Sequence, residues 1–300
     1  MAILTYKRPQ MLGLAVKGVL EELRGVDEDA EVIVVDNDPE RSAESTVIMD
    51  GDPRVTYVAE PAIGIAAARN AALDAAAHRR LLVFIDDDEV PVAGWLQTLV
   101  GAWERWECDA VAGPTMRVLE SPVDPWVRAS AFFQHRPRPN GMRIDGAASG
   151  NLLLDLASVR RLGVRFDERF GTSGGEDTMF CRTLTAKGAV IRWCEDAVTT
   201  EPVAPERATR SWVLTRERRI GNTWSRVHVA LAESRLDRST TRLRLLGIVI
   251  KLVGVGIARL AVGVGYRDVG RRARGERDVA RGFGVLLGLV GSRIEEYRRE

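Results

Sequence analysis

The stretch Val83-Phe84-Ile85-Asp86-Asp87-Asp88-Glu89-Val90-Pro91 joins an apolar run directly to four consecutive acids. Carboxylates crowded at the end of a buried strand repel one another and lose hydration, so something positive must compensate them. Hard divalent cations such as Mg2+ or Mn2+ do so through oxygen ligands. The plain alternative is a solvated acidic turn, and for the tetrad alone the two readings stand level. The neighbouring sequence decides between them.

Residues 81–85 read as the strand that carries the tetrad, and the Ala-rich segment 64–77 before it reads as a helix bearing Arg69 and Asn70. Residues 55–58 form an earlier strand. Glu31-Val32-Ile33-Val34-Val35 is a continuous apolar run of the kind buried on both faces of a parallel sheet, and it ends in Asp36-Asn37-Asp38-Pro39. Ala2-Ile3-Leu4 is a stub of a first strand, short for a sheet centre, as though the start had lost a few residues. It ends at Thr5-Tyr6-Lys7-Arg8-Pro9. Residues 11–23 set Leu12, Ala15, Val16, Val19, Leu20 and Leu23 at helical spacing, with Gly25 as the stop. Strands alternating with helices imply right-handed βαβ units and an α/β fold with a doubly wound, mostly parallel sheet flanked by helices. Ligands bind such sheets at the carboxyl ends of the strands. The three polar clusters, Thr5 to Arg8, Asp36 to Asp38 and Asp86 to Glu89, all fall there, and a decorated turn would not recur at successive strand ends.

Beyond the tetrad, residues 95–106 read as a helix and 110–113 as a short strand. The proline-punctuated stretch 114–145 reads as an irregular excursion, a lid or acceptor loop. Order is expected again at 148–154, at a helix over 157–162, at Gly174-Gly175-Glu176-Asp177 with a helix over 178–186, and at 190–194 as the last strand of the core. The chain has 300 residues, 45% hydrophobic and 28% charged, enough for one large domain with an appendage or for two domains. A net charge of +1 gives no pull toward nucleic acid. Three widely spaced cysteines, Cys108, Cys181 and Cys194, have no metal spacing and suit a reducing cytoplasm, and no secretory signal opens the chain.

In their order, these residues resemble glycosyltransferase family 2 with the GT-A fold, in the branch similar to bacterial succinoglycan-type exopolysaccharide enzymes. The resemblance covers about residues 3–225. Thr5-Tyr6-Lys7-Arg8-Pro9 resembles the opening nucleotide-contacting turn, and Val34-Val35-Asp36-Asn37-Asp38 the second strand end, whose first Asp binds the base. Gly64 with Ala68-Arg69-Asn70 resembles the G…ARN helix, and Asp86-Asp87-Asp88 the DxD metal motif. Gly150-Asn151 and Gly175-Glu176-Asp177 resemble the acceptor-side elements, Asp177 matching the catalytic base. Later segments, Glu201-Pro202 and residues 216–221, also match this branch. Two departures stand out: the first strand is short, and Thr199-Thr200-Glu201 occupies the place where many relatives carry a metal-binding His.

The resemblance implies an inverting sugar transfer from a nucleotide-diphosphate donor to a hydroxyl of a glycan or lipid-linked acceptor. Departure of the diphosphate develops negative charge, which bound Mg2+ or Mn2+ offsets as a Lewis acid. Asp88 is the expected direct ligand, with Asp86 meeting ribose or the metal through water and Asp87 on the donor side. Asp36 accepts from the base, Asp38 lies on the donor side, and Thr5, Tyr6 and Arg8 wrap the nucleotide. Asp177 takes the acceptor proton, and Glu176 raises its basicity by like-charge repulsion. As structure alone, the same two acids would suit a helix N-terminus. Arg69 fits either a diphosphate or a neighbouring acid. Asn70 and Asn151 fit either sugar hydroxyls or local backbone. Trp126 and Trp193 read as core before they read as sugar platforms, and His78, His135 and His228 show no ligand spacing.

The last third differs in character. Residues 243–265 are mostly apolar and long enough to span a bilayer, but Arg244, Lys251 and Arg259 interrupt them. At helical pitch those cations fall within an arc of about 80°, which predicts a helix lying in the interface rather than crossing it. Residues 266–281 hold six arginines against three acids, a match for anionic headgroups, and 285–290 are apolar again. The alternative is a helix pair packed on the catalytic domain or on a second subunit. The expected organisation is a catalytic domain over 1–225, with a nucleotide half over 1–113 and an acceptor half over 114–225, then a helical membrane-associated region over 226–300 at the cytoplasmic face. Two rivals are a sugar-nucleotide nucleotidyltransferase, which would want a glycine-rich phosphate loop absent from Thr5 to Pro9, and an inactive glycan-binding scaffold, which would want a broken acidic motif.

Overall fold

A computed structural model describes residues 1–24, 29–119 and 123–294. In chain order the elements are β1 (Ala2–Thr5), α1 (Pro9–Leu23), β2 (Val32–Asp36), α2 (Glu44–Asp50), β3 (Val55–Ala59), α3 (Ile65–Ala75), β4 (Leu81–Asp86), β5 (Val90–Pro91), α4 (Trp95–Trp106), β6 (Ala110–Ala112), β7 (Thr115–Leu119), α5 (Pro125–Ser130), β8 (Arg143–Ile144), β9 (Asn151–Asp155), α6 (Leu156–Leu162), α7 (Glu176–Ala186), β10 (Ile191–Trp193), β11 (Thr199–Val203), α8 (Arg210–Ala230), α9 (Arg235–Gly265) and α10 (Val269–Leu289). They form two compact units. One comprises Met1–Met116, His135–Thr172 and Glu176–Glu201, and the other comprises Arg117–Gln134, Ser173–Gly175 and the chain from Pro202 onward.

The first unit is built on an eight-stranded sheet in the order β3-β2-β1-β4-β9-β6-β10-β8. Pairing is parallel from β3 to β4 and between β6 and β10, and antiparallel on both sides of β9 and at β8. Every residue of β2 is buried because both sheet faces are covered. Ile33 and Val35 join a core with Ala68, Phe84, Leu154 and Phe180. Val32 and Val34 join one with Val16, Trp95, Leu99 and Leu153 on the opposite face. Pro9 fits the first turn of α1, where no backbone donor is needed, and the six expected apolar positions of that helix are all buried. In α6 the Asp155 carboxylate accepts the backbone N–H groups of Ala157 and Ser158, and Gly163 ends the helix at φ +60°.

Three expectations are corrected here. The excursion over 114–145 is not wholly irregular: it contains β7, α5 and the two-residue edge strand β8. Its prolines confine these elements to short lengths without abolishing them. The strand β10 does not close the core, because β11 follows and pairs antiparallel with β5, Thr199 against Pro91 and Thr200 against Val90. The apolar helix of the last third begins at Arg235, eight residues before its apolar run, because Ser234 caps its N-terminus by accepting the Asp237 N–H.

The second unit is helical. Trp126, Val127, Phe133, Val203, Val213 and Ala273 make one core, and Leu245, Val249 and Val285 make another. Glycines let α10 approach its neighbours backbone to backbone. A Cβ on Gly221 of α8 would lie 2.2 Å from the Arg281 carbonyl oxygen, and one on Gly284 would lie 2.0 Å from that of Arg218. A Cβ on Gly275 would lie 2.7 Å from the carbonyl oxygen of Gly256 on α9. Glu217, 1% exposed, is clasped by Arg277 at 2.6 Å and Arg281 at 2.7 Å. By length and composition α9 could cross a membrane, and only 17% of its apolar window is buried within the protein.

Candidate active site

Parallel strands β2, β1 and β4 deliver Asp36, Thr5 and Asp86 to one edge of the sheet: Thr5 is in register with Asp36, and Leu4 with Asp86. The turn after β4 is built by its own acids. Asp87, 6% exposed, accepts from the Thr5 hydroxyl at 2.8 Å and from Arg8 at 3.1 Å, and Arg8 also reaches Asp88 at 3.0 Å. Thr5 and Arg8 thereby fasten the first strand end to the acidic turn, with Tyr6 half-buried between them. Glu89 is buried and tied to Thr199 at 2.7 Å and Thr115 at 3.2 Å, which anchors the turn to the neighbouring strands.

These groups form an unbalanced acidic cluster. Burial, offset by Arg69 and reinforced by Asp88, Asp87 and Glu201, pushes the Asp86 carboxyl up to about 7. Because 40% of its side-chain surface stays open, the like charges are the cause that carries weight. Glu89 is driven well above the usual carboxylate range by burial and then by Asp86. Gly150 sits at the hub. A Cβ there would lie 2.4 Å from Glu89 Oε1 and 2.7 Å from Asp86 Oδ2, so only glycine leaves both carboxylates their positions. The antiparallel register Ile85 to Asn151 brings it there. Asn151 itself is 2% exposed and spent on structure. It accepts from the Trp95 indole at 2.9 Å and donates to the Pro114 and Ala197 carbonyls, which suits the backbone reading better than a sugar contact.

Arg69 and Asn70, on α3, are both buried. Asn70 exchanges two 3.0 Å hydrogen bonds with the backbone of Phe166, a structural post. The Arg69 guanidinium lies 3.9 Å from Asp86 and forms a close ion pair with Glu176. Sequence reasoning left Arg69 open between diphosphate and acid; here it touches two acids. Glu176 therefore meets Arg69 as well as Asp177. Its pKa is raised by burial, against Arg69 and with help from Asp177. Its Oε2 is buried without a hydrogen-bond partner among the described residues. Half-buried Asp177 opens α7, and its Oδ1 accepts from Thr178 N at 2.5 Å and Thr178 Oγ1 at 3.2 Å.

At the second strand end, Asp36 is fully buried. Its Oδ2 accepts from Ala43 N at 2.8 Å and Tyr57 OH at 3.0 Å, and its Oδ1 accepts from Asp38 N at 3.0 Å. It organises the loop. Asp38 is 2% exposed, and its Oδ2 has no partner among the described residues. Neither tryptophan raised as a sugar platform lies open: Trp126 is in the helical core, and Trp193 is covered by Arg138 and bonded to Glu195. Among the described residues, no three metal-ligating side chains are preassembled. The oxygen-only pair Asp86 and Asp88 still fits the sparse protein shell that Mg2+ or Mn2+ accepts when phosphate and water complete it, and the cradle at Gly150 keeps Asp86 accessible.

A partly parallel sheet with an acidic turn beside its central strand ends, linked through Arg69 to an acid pair opening a helix, defines a GT-A-type glycosyltransferase. The chain belongs to Glycosyl transferase family 2, whose sequence profile matches residues 1–162. It is 32% identical to succinoglycan biosynthesis protein ExoM of Rhizobium meliloti, over 98% of this chain and 94% of that protein. It is 27% identical to the pre-mycofactocin glycosyltransferase of Mycobacterium tuberculosis, over 91% of this chain but 57% of that longer protein. Among solved structures, the mannosyltransferase PcManGT from Pyrobaculum calidifontis, in complex with GDP-Man and Mn2+, superposes with a TM-score of 0.62 at 17% identity, covering 96% of this chain and 86% of its own. Staphylococcus aureus TarS 1-349 in complex with UDP gives 0.53 at 14% identity, over 97% and 91% of the two chains. At such identities these structures share the fold.

Proposed function

We propose that this glycosyltransferase moves a sugar, with inversion, from a nucleotide-diphosphate donor to a hydroxyl of a glycan or lipid-linked acceptor in cell-surface polysaccharide synthesis. The observation that carries the reading is the position of Arg69, in contact with Asp86 on the donor side and with Glu176, the residue before Asp177, on the acceptor side. One buried cation thus ties the two halves of the reaction together. The relationship to ExoM supports the polysaccharide setting.

In this reading the turn Asp36 to Asp38 meets the base. Asp36 holds the loop, and the buried Oδ2 of Asp38, without a partner among the described residues, is left to accept a base N–H. Thr5 and Arg8 fix the acidic turn while Tyr6 lines the nucleotide. Asp88 and Asp86 hold Mg2+ or Mn2+, which when bound offsets the charge of the departing diphosphate. Asp177 takes the proton of the attacking hydroxyl, and Gly150 gives the acidic turn room. Arg69 holds Glu176 in place beside the base.

The most exposed apolar side chains of residues 243–265, Leu243, Leu246, Ile250, Ile257 and Val264, fall within an arc of about 60° at helical pitch on α9, while the less exposed Val255 and Val262 lie on the side of the cations. Exposed Arg244, Lys251 and Arg259 lie on another side. This division supports a helix resting on the anionic cytoplasmic face of the membrane, near a lipid-linked acceptor. The deciding experiment is a screen of nucleotide sugars for nucleotide release with Mn2+ and a membrane lipid extract. Asp177→Asn should lower turnover by roughly 100- to 10,000-fold and leave donor binding intact, whereas Asp88→Ala should weaken both. Wild-type turnover in either variant would overturn the assignment.

A further inference from the structure

Two arginines of the first compact unit compensate the acidic turn after β4, and they differ in how firmly they are held. Arg69 lies 3.9 Å from Asp86, but it is buried and paired with Glu176, so it cannot leave without stranding that acid. Arg8 is held more lightly. Its Nη1 donates to Asp87 Oδ1 at 3.1 Å and to Asp88 Oδ2 at 3.0 Å, so one nitrogen spans two carboxylates. Of the Arg8 side-chain surface 39% is exposed, against 14% for Asp88. The backbone beneath it is fixed. The Arg8 carbonyl accepts the Leu12 N–H at 3.0 Å in the first turn of α1, and Pro9 follows it. On its other side Lys7 takes φ +53°, a left-handed conformation that is costly without glycine, and its ammonium lies 5.6 Å from the centre of the Tyr6 ring. Asp87 has a second tie, because its Oδ2 accepts from the Thr5 hydroxyl at 2.8 Å. The turn therefore keeps its anchor to β1 when the Arg8 side chain lets go of Asp88.

We propose that Arg8 is an exchangeable counter-ion for Asp88. It occupies that carboxylate until a nucleoside diphosphate arrives with its divalent cation, and so makes cation binding depend on the nucleotide. The inference rests on the reading of Asp88 as a metal ligand. A guanidinium and a divalent cation on one carboxylate oxygen repel each other at close range, so Arg8 must yield Asp88 Oδ2 to the cation. A cation arriving alone displaces Arg8 and gives it no anion in return. A diphosphate supplies one, and arginine pairs with phosphate oxygens through strong charge-assisted hydrogen bonds. By reciprocity, the cation and the nucleotide strengthen each other's binding by the same factor. Arg69 cannot play this part, because Glu176 holds it in place.

The experiment measures Mn2+ binding to the full-length protein by electron paramagnetic resonance, first with Mn2+ alone and then with UDP or GDP in separate arms. Arg8→Gln should bind Mn2+ alone roughly three- to tenfold more tightly than wild type, the worth of one partly exposed charged hydrogen bond. The factor by which the nucleotide tightens Mn2+ binding should shrink at least as much. Lys7→Gln removes a charge from the same turn but leaves the Arg8 to Asp88 contact in place, and it should keep Mn2+ affinity within about twofold. Unchanged Mn2+ affinity in Arg8→Gln, or equal tightening in Lys7→Gln, would overturn the exchange. Should Arg8→Gln not fold, wild type carries the test. Phenylglyoxal labelling of Arg8, followed by mass spectrometry, should accelerate about twofold or more when Mn2+ is added alone, and an unchanged rate would count against the proposal. Mn2+ affinity unmoved by Asp88→Asn would instead sink the metal-ligand reading, which separates the two failures.

Discussion

Replacing Arg69 with methionine should expose how much the protein depends on one buried ion pair. Arg69 is 4% exposed, as is its partner Glu176, and its guanidinium also lies 5.6 Å from the Phe166 ring centre. Removing one member of a buried pair leaves a bare charge and costs about 3–5 kcal/mol. A domain stable by about 5–15 kcal/mol would lose a large share of that. The loss should depend on pH, with a definite sign. Glu176 already titrates above its ordinary value in the folded protein because burial outweighs Arg69. Without Arg69 its folded pKa rises further. A raised carboxyl contributes stability below its unfolded pKa and loses it as pH climbs through the folded one. The penalty of Arg69→Met relative to wild type should therefore be small near pH 4.5 and grow toward pH 8. Urea unfolding of wild type, Arg69→Met and the double variant Arg69→Met, Glu176→Leu at both pH values tests this. The double variant should regain most of the loss at pH 8, because an apolar pair of similar bulk replaces the ions. Equal penalties at the two pH values, or a double variant as weak as the sum of its parts, would refute the reasoning.

Gly150→Ala would force Asp86 and Glu89 apart, and because Glu89 is pinned by two threonines the displacement should fall on Asp86. We expect donor turnover to drop at least tenfold, from roughly 1 Å of misplacement, with an overpacking cost of about 1–3 kcal/mol seen in thermal unfolding. Ile250→Asp with Ile257→Asp on the exposed face of α9 should release the protein from vesicles containing anionic lipid in a sedimentation assay. The helical circular dichroism should be unchanged, since neither side chain is buried.

Much of this architecture could be read from local pattern. The run Val32–Val35 announces a strand buried on both faces, α1 carries its start in Pro9 while the Gly25 read as its stop lies outside the described residues, and the acids after β4 and β2 mark the sheet edge where ligands bind. The parts that escaped are those fixed by distant partners. Nothing near Arg69 says that it will find Glu176, 107 residues away. Asp36 looks like an open carboxylate, but Tyr57 and Ala43 close over it once β3 pairs alongside. The two-residue strand β8 has no period to detect, and its existence depends on the Ile191 to Ile144 pairing. In α10 the glycines at 275, 282, 284 and 288 look like weak helix formers in sequence, and their purpose appears only when another backbone lies against them.

The pairing of β4 with β9 carries a constraint on how this chain can change over time. Gly150 reaches the acidic hub because it immediately precedes Asn151, which faces Ile85 across the antiparallel ladder. A single-residue insertion within 151–155 would slide the ladder and turn each inward side chain outward. It would also replace glycine at the hub with a residue whose side chain cannot fit. Length changes should therefore accumulate before Ser149 and after Gly163 and be purged between them, so that a gap falling inside this segment marks a descendant that has abandoned the chemistry.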